Sequence, residues 1–219
     1  MPHRHCPLCN SDNTQHYHKD NKRDYYLCGV CHLVFVPEHQ LLSAQDEKAQ
    51  YDFHENDPAD PNYREFLNRI FLPMINLIQS RAKGLDYGSG PGPTLSVMFE
   101  EQGYDIQIYD YFYANNPEVL NDTYDFITCT ETIEHIHNPK TDLVRLWKQL
   151  NVNGYLGVMT KQVDTKERFS SWHYKNDPTH VCFYSKTTFN WLAKQWQASI
   201  VYENEDIVIF QKNNETHAE

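Results

Sequence analysis

One stretch decides the fold of this 219-residue chain, Leu85-Asp-Tyr-Gly-Ser-Gly-Pro-Gly92. Its glycines stand at every second position, after a short apolar segment and before a predicted helix over residues 94–102. Glycine lets the backbone turn sharply and lets a ligand lie against the chain without an intervening Cβ. A strand, a glycine-rich turn and a helix N-terminus in this order are typical of open α/β sheets that hold a nucleotide-like cofactor. The octet alone leaves an ordinary glycine-rich turn as the alternative.

The spacing of the glycines separates two kinds of cofactor loop. A dinucleotide-binding loop has the pattern G-x-G-x-x-G, whereas here Pro93 occupies the position of the third glycine. The pattern D-x-G-x-G-x-G, which begins at Asp86, resembles motif I of the class I S-adenosylmethionine (SAM)-dependent methyltransferases. The resemblance implies a SAM-binding loop made of Asp86, Gly88, Ser89, Gly90 and Gly92.

The next predicted strand, residues 104–110, ends in an acid. Asp110 lies about twenty residues past the loop, where a carboxylate accepts hydrogen bonds from ribose hydroxyls. A solvated acid at a strand end is the plainer alternative, and Tyr111 beside it is available to stack on adenine. Only fourteen residues separate Asp110 from Asp125, so we expect the middle β–α unit of the fold to be shortened.

A third predicted strand, residues 125–130, runs into the segment Glu-Thr-Ile-Glu-His at 131–135. The resemblance adds Thr130 and Glu131 to the SAM site. E-x-x-E-H is similar to the metal-binding motif of RNA 3′-terminal 2′-O-methyltransferases, which also use a later histidine. One interpretation is therefore a second divalent metal on Glu131, Glu134, His135 and His180, whose first three members would share a helical face. The alternative places Glu131 near the SAM amino group and Glu134 at a helix N-terminus.

Residues 172–184 crowd two histidines, an acid and several aromatics between a strand and a helix without any periodicity. Polar groups among aromatics suit a small-molecule pocket, and the D-P-T-H segment resembles the substrate side of zinc-ribbon-bearing methyltransferases. We expect His180 to act as general base, oriented by Asp177, with His173 and His135 as further candidates. A loop histidine bonded to backbone is the alternative for each.

Four of the six cysteines form two C-x-x-C pairs with eighteen residues between them. This spacing is typical of a tetrahedral zinc ribbon with four cysteine ligands, and a closed thiolate shell favours a structural over a catalytic metal. We expect zinc to supply the folding free energy of this segment, which should melt on chelation while the rest stays folded. The predicted ligands are Cys6, Cys9, Cys28 and Cys31.

The sequence predicts three regions along the chain. Residues 1–36 are predicted to form the zinc ribbon, residues 37–60 a surface linker or a flap over the cofactor, and residues 61–219 the methyltransferase domain. A predicted antiparallel hairpin near the C-terminus closes the sheet. The resemblance implies an α/β fold, a Rossmann-like class I methyltransferase sheet with helices on both faces and this closing hairpin, plus the small N-terminal ribbon.

Charge and composition limit the partners. The net charge of −11 opposes a phosphate backbone, which makes nucleic acid an unlikely partner. We find neither a signal peptide nor an apolar run of membrane-spanning length, so we expect a cytoplasmic protein. The resemblance implies an enzyme that transfers a methyl group from SAM to oxygen or carbon of a small molecule. Two alternatives are an RNA methyltransferase whose ribbon reads RNA, and a non-catalytic adaptor that binds a protein.

Overall fold

The computed structural model describes residues 5–53 and 56–214, so the outer ends of the first and last predicted regions lie outside it. Within the described residues, ten strands form two sheets. The strands are β1 Thr14–Lys19, β2 Asp24–Cys28, β3 Val34–Phe35, β4 Lys83–Tyr87, β5 Asp105–Tyr109, β6 Tyr124–Thr130, β7 Leu150–Met159, β8 Cys182–Phe183, β9 Ser199–Glu203 and β10 Ile207–Gln211. The helices are α1 Ala44–Tyr51, α2 Pro61–Ile75, α3 Thr94–Glu101, α4 Pro139–Gln149, α5 Lys166–Ser171 and α6 Lys186–Trp196.

The large sheet has the strand order β5-β4-β6-β7-β10-β9. Strands β4 to β7 are parallel, whereas β10 is antiparallel to both β7 and β9. The predicted closing hairpin is therefore confirmed. Within the described chain no strand lies beyond β5, so the short connection to β6 indeed removes one β–α unit. The chain runs from β4 to β5 on one side and returns to β6 on the other, which opens a crevice at the carboxyl ends of the strands.

Two apolar clusters cover the two faces of this sheet. One cluster contains the inward side chains of α2 and α3, and the other contains those of α4 and α6. Helices thus flank both faces, as the sequence predicts. Helix α2 ends at Ile75, with Pro73 inside its last turn.

The N-terminal segment is built into a second, antiparallel sheet of order β1-β2-β3-β8. Its fourth strand belongs to the region between β7 and α6, so the predicted boundary at residue 36 is crossed by strand pairing. Ribbon residues such as Leu33 and Phe35 join the apolar cluster of α4 and α6. Among the described residues we find no helix long and apolar enough to cross a membrane.

Candidate active site

The glycine-rich turn leaves the carboxyl end of β4 in a conformation that requires glycine. Gly88 has a φ of +80°, and a Cβ there would lie 2.2 Å from Cγ2 of Thr132. Gly92 is similarly crowded, since a Cβ would lie 1.7 Å from the backbone oxygen of Asn56. The turn is therefore held between the end of β6 and the connector that precedes α2.

Asp110 follows the end of β5 and faces this turn. Its Oδ2 accepts from the N–H of Gly90 (3.0 Å), and its Oδ1 accepts from the N–H groups of Phe112 (2.8 Å) and Tyr113 (3.0 Å). An ionised carboxylate has about four acceptor sites. These bonds fix the carboxylate and leave one site on Oδ2 for a ligand hydroxyl, as expected for a ribose contact.

A cavity of about 880 Å³ opens over the carboxyl ends of β4, β5 and β6. Its volume lies in the upper part of the range of ligand pockets, about 300–1,000 Å³. The oxygens Ser89 Oγ and Thr130 Oγ1 are buried there without a partner among the described residues. Buried hydroxyls are normally hydrogen-bonded, so they point to a ligand. The predicted cofactor residues that line the cavity are Gly88, Ser89, Gly90, Asp110, Tyr111, Thr130 and Glu131.

Two predicted cofactor residues do not line the cavity. Asp86 is only 4% exposed, and its Oδ1 accepts from the Thr128 hydroxyl (2.9 Å) inside the sheet. Burial raises the pKa of Asp86 to about 6. Gly92 is covered by Asn56 instead. Asp86 therefore lies beneath the turn, inside the sheet. The missing Cβ of Gly92 leaves room for Asn56 of the connector.

Two carboxyls follow the end of β6, the half-buried Glu131 and the fully buried Glu134. Glu131 has a φ of +46°, the left-handed region that is uncommon for a residue with a Cβ and clusters at functional sites. Burial raises the pKa of Glu131 to about 6. Burial, reinforced by repulsion from Glu131, raises the pKa of Glu134 to about 8. The segment that follows is a single 3-10 turn, Ile133–His135, so Glu131 stands before it rather than on a shared helical face.

Glu134 is fully buried behind the cavity wall. Its Oε1 accepts from the hydroxyl of Tyr174, and its Oε2 has no hydrogen-bond partner within the described chain. One ligand atom from each of Glu134, His135 and His180 lies within 4.8 Å of the others. Three of the four predicted ligands of the second metal are thus brought together, whereas Glu131 is not part of the group.

His180 is held in one tautomer by the backbone. Its Nδ1 lies 2.7 Å from the carbonyl oxygen of Tyr174, which can only accept, so Nδ1 carries the proton. Burial lowers the pKa of His180, which keeps the ring neutral at pH 7 with a lone pair on Nε2. The ring packs edge-on against His135 at 4.6 Å between centroids, and both rings line the cavity.

Asp177 also lines the cavity, close to this histidine. Its Oδ2 lies 3.9 Å from Nε2 of His180, while Oδ1 accepts from the N–H (2.8 Å) and hydroxyl (2.6 Å) of Thr179. Burial works against ionisation, but these bonds outweigh it and hold the pKa of Asp177 below its usual value. Because the Tyr174 carbonyl orients the imidazole, Asp177 is placed to stabilise the imidazolium form instead.

His173, the other histidine of this loop, lies elsewhere. Its Nε2 is 3.2 Å from Nζ of Lys161, and it is not among the residues that line the cavity. The structure therefore does not bring His173 together with the other predicted catalytic residues.

The connector, predicted as a linker or a flap, supplies residues of the cavity wall, of which sequence reasoning missed Glu47. Helix α1 places Glu47 and Tyr51 in the cavity wall, and Glu47 Oε1 lies 3.0 Å from Nε2 of His137. The Tyr51 ring packs edge-on against His135 at 5.3 Å, whereas Phe53 is 78% exposed. Region 37–60 thus covers the cavity with one of its two aromatics. The flap alternative anticipates the position of Tyr51, whereas nothing in the polar sequence of α1 signals the role of Glu47, which depends on tertiary contacts.

The four N-terminal cysteines converge. The Sγ atoms of Cys6 and Cys31, and those of Cys9 and Cys28, are 3.4 Å apart, and all four lie within 4.8 Å of one another. A Zn–S bond of about 2.3 Å in a tetrahedron separates the sulfurs by about 3.8 Å. The predicted set of four cysteines therefore fits a zinc ion.

Comparison with known proteins agrees with this geometry. The family model described as "Methyltransferase domain" matches residues 54–203. A methyltransferase from Burkholderia thailandensis, solved with 1,6-didemethyltoxoflavin and S-adenosylhomocysteine, superposes with a TM-score of 0.54 at 13% identity, covering 91% of this chain and 100% of its own. A SAM-dependent methyltransferase from Archaeoglobus fulgidus superposes with a TM-score of 0.52 at 14% sequence identity, covering 68% of this chain and 94% of its own. No curated protein matches the sequence.

The crevice, the glycine turn and the strand-end acid define a class I SAM-dependent methyltransferase fold. The chain belongs to the methyltransferase-domain family.

Proposed function

We propose that this protein transfers a methyl group from SAM to a hydroxyl of a small molecule, with His180 as the general base. The observation that carries the proposal is the His180 side chain, which lines the cavity and whose Nδ1 is fixed by the Tyr174 carbonyl, so that Nε2 is left unprotonated. Carbon methylation of an acidic C–H would use the same proton acceptor.

SAM supplies an electrophilic methyl group on a sulfonium, and the residues of this chain supply orientation and proton acceptance. Gly88 and Gly90 let the cofactor lie against the backbone, and Asp110 accepts from a ribose hydroxyl. The acceptor oxygen forms a bond to the methyl carbon as the S–C bond breaks, and the hydroxyl proton moves to Nε2 of His180. Asp177 stabilises the resulting imidazolium, and S-adenosylhomocysteine leaves.

The charges of the cavity favour a neutral or cationic acceptor over a phosphorylated one. Arg145 is the single lysine or arginine among the lining residues that the structure describes, and it forms an ion pair with Asp142. Acidic side chains line the same space, namely Glu47, Asp110, Glu131, Asp142 and Asp177. An anionic group would meet net repulsion there. The structurally similar Burkholderia methyltransferase, solved with 1,6-didemethyltoxoflavin, also supports a small-molecule acceptor.

Calorimetry with S-adenosylhomocysteine tests the cofactor site. We expect Asp110→Ala to weaken binding about 10- to 100-fold, because a hydrogen bond to a charged group is lost. Gly88→Ala should also weaken it, since a Cβ meets Thr132. Gly103→Ala is the matched control: Gly103 also has a positive φ, +83°, but nothing lies within 4 Å of its Cβ position. Equal binding in Asp110→Ala and wild type would refute the assignment.

Methyl-labelled SAM with a panel of phenols, sugars and quinol precursors tests the reaction. With an acceptor in hand, His180→Ala should lower turnover about 10²-fold or more while S-adenosylhomocysteine still binds. His173→Ala, in the same loop but outside the cavity lining, should leave turnover unchanged. If the two variants behave alike, His180 is not the base.

A divalent cation on Glu134, His135 and His180 is a second candidate for acceptor activation, favoured by the unpartnered Oε2 of Glu134. The cation would polarise the acceptor oxygen, and His180 would then be a ligand rather than a base. Metal analysis distinguishes the two hypotheses. A second cation beyond one zinc per chain, absent from Glu134→Gln, supports the metal site. Full turnover in protein that holds one zinc per chain supports His180 as general base.

A further inference from the structure

The loop that carries Asp177 and His180 has little regular structure of its own. Between α5 and α6 it contains one 3-10 segment, His173–Asn176, and the two-residue strand β8. A proton acceptor must nevertheless be held in place for efficient transfer. One set of contacts that hold this loop comes from the N-terminal ribbon.

Arg23, in the turn between β1 and β2, is 7% exposed and lies under the loop. Its Nη1 donates to the carbonyl oxygens of Pro178 and His180, both at 2.9 Å. Its Nη2 donates to those of Lys175 (2.5 Å) and Asp177 (2.9 Å). A planar guanidinium with five N–H donors suits such a convergence of carbonyls, and a lysine ammonium has only three donors.

The turn that carries Arg23 is itself fixed by Asp20. Asp20 Oδ1 accepts from the backbone N–H of Arg23 (2.8 Å), and Oδ2 accepts from Tyr25 Oη (2.9 Å). The same Oδ2 accepts from Nζ of Lys175 (3.1 Å), which is buried. The ribbon turn and the loop are thus joined by a buried ion pair as well as by the guanidinium.

Strand pairing also joins the ribbon to the residues next to His180. Val34 pairs with Phe183, and the N–H of Val36 donates to the carbonyl of Val181 (2.9 Å). The N–H of Val181 in turn donates to the carbonyl of Glu134 (2.8 Å). Val181, next to His180, therefore lies between the residues that follow β3 and the 3-10 turn that follows β6.

We propose that the zinc ribbon is the support of the acceptor loop, with Arg23 as the positioning residue, so that zinc is required for acceptor methylation but not for cofactor binding. Zinc supplies most of the folding free energy of such a small segment. Without it, β3 and the Arg23 turn lose their geometry, and the loop loses its contacts with them. Within the described residues, the glycine turn and Asp110 form no hydrogen bond with the ribbon, so they keep their geometry. The catalytic consequence rests on the proposed function; the support of the loop does not.

Hydrogen–deuterium exchange of the full chain, read by mass spectrometry over residues 173–184, tests the support directly. Arg23→Met keeps the length of the side chain and removes its donors, and Lys22→Met removes a neighbouring exposed cation as the matched control. We expect exchange in the loop to rise at least tenfold in Arg23→Met and in chelated wild type, but not in Lys22→Met. Calorimetry should show S-adenosylhomocysteine affinity within about twofold of wild type in all of them.

Turnover, once an acceptor is known, should fall about 10²-fold in Arg23→Met, as for a displaced catalytic group, and only partly in Arg23→Lys. If Arg23→Met loses zinc, Asp20→Asn weakens the same attachment by removing the ion pair to Lys175. The proposal is overturned if hydrogen exchange of the loop is unchanged in zinc-loaded Arg23→Met, or in Asp20→Asn where Arg23→Met has lost its zinc. It is also overturned if S-adenosylhomocysteine affinity falls along with the protection of the loop. Failure of the proposed function would show separately, as His180→Ala turnover equal to wild type.

Discussion

At the scale of single residues, specific contacts set the protonation state of the site. The carbonyl of Tyr174 selects the tautomer of His180, and burial keeps that ring neutral. Burial also raises the pKa values of Asp86, Glu131 and Glu134, so that part of the negative charge in the sequence is suppressed around the cofactor. The residue types are readable from the sequence, but these states depend on distant partners and are not.

Asp86→Asn should change how stability depends on pH. The folded pKa of about 6 is above the ordinary 3.8 because the carboxyl is buried. Its contribution to stability is therefore fully present below the unfolded pKa and is lost as the pH rises through about 6. Between pH 5 and pH 8 the wild type should lose about 1.4 kcal/mol more unfolding free energy than Asp86→Asn. Urea denaturation with zinc present measures this, and equal losses in both proteins would contradict a buried, protonatable Asp86.

At the scale of elements, local patterns predicted the glycine turn with Asp110 and the loop of Asp177 and His180, but not the packing of α1 or the strand pairing of that loop. The glycine turn, the acid after β5, the shortened middle unit and the closing hairpin all have local signals in chain order. By contrast, α1 has a polar sequence without apolar periodicity, and β8 pairs with a strand far away in the sequence. Their positions are decided by tertiary packing, which local patterns do not encode.

Helix α1 should matter for the acceptor rather than for the cofactor. Tyr51 packs against His135, and burial, followed by the charges of Glu47 and Asp177, raises the pKa of the Tyr51 hydroxyl. We expect Tyr51→Ala to lower turnover about tenfold at limiting acceptor, since a buried aromatic contact is worth about 1 kcal/mol or more. Phe53→Ala, at an exposed position of the same connector, should not. The assay is label transfer from SAM, and a reduced S-adenosylhomocysteine affinity in Tyr51→Ala would assign the helix to the cofactor instead.

At the scale of the whole molecule, the zinc ribbon and the sheet share one of two apolar clusters. Side chains of β2 and β3 belong to the cluster that covers α4 and α6, whereas α2 and α3 form the other. The sequence predicts that residues 1–36 melt on chelation while the rest stays folded, because two C-x-x-C pairs are a self-contained local pattern. The ribbon pairs with β8 and packs in the same apolar cluster as α4 and α6, so we expect a different response to chelation, in which unfolding of the ribbon also destabilises that face of the large sheet.

Two core phenylalanines distinguish these responses. Phe183 is 1% exposed in β8 and packs against Tyr25 of the ribbon, whereas Phe99 is 0% exposed in the other cluster and packs against Phe71. Replacing either by Ala should cost about 3–5 kcal/mol of unfolding free energy, measured in urea. Only Phe183→Ala should also speed transfer of zinc to a chromogenic chelator under native conditions, because it removes packing shared with the metal-binding hairpin. Equal zinc release from both variants would show that the ribbon holds its metal independently of the sheet, and would restore residues 1–36 as a separate folding unit.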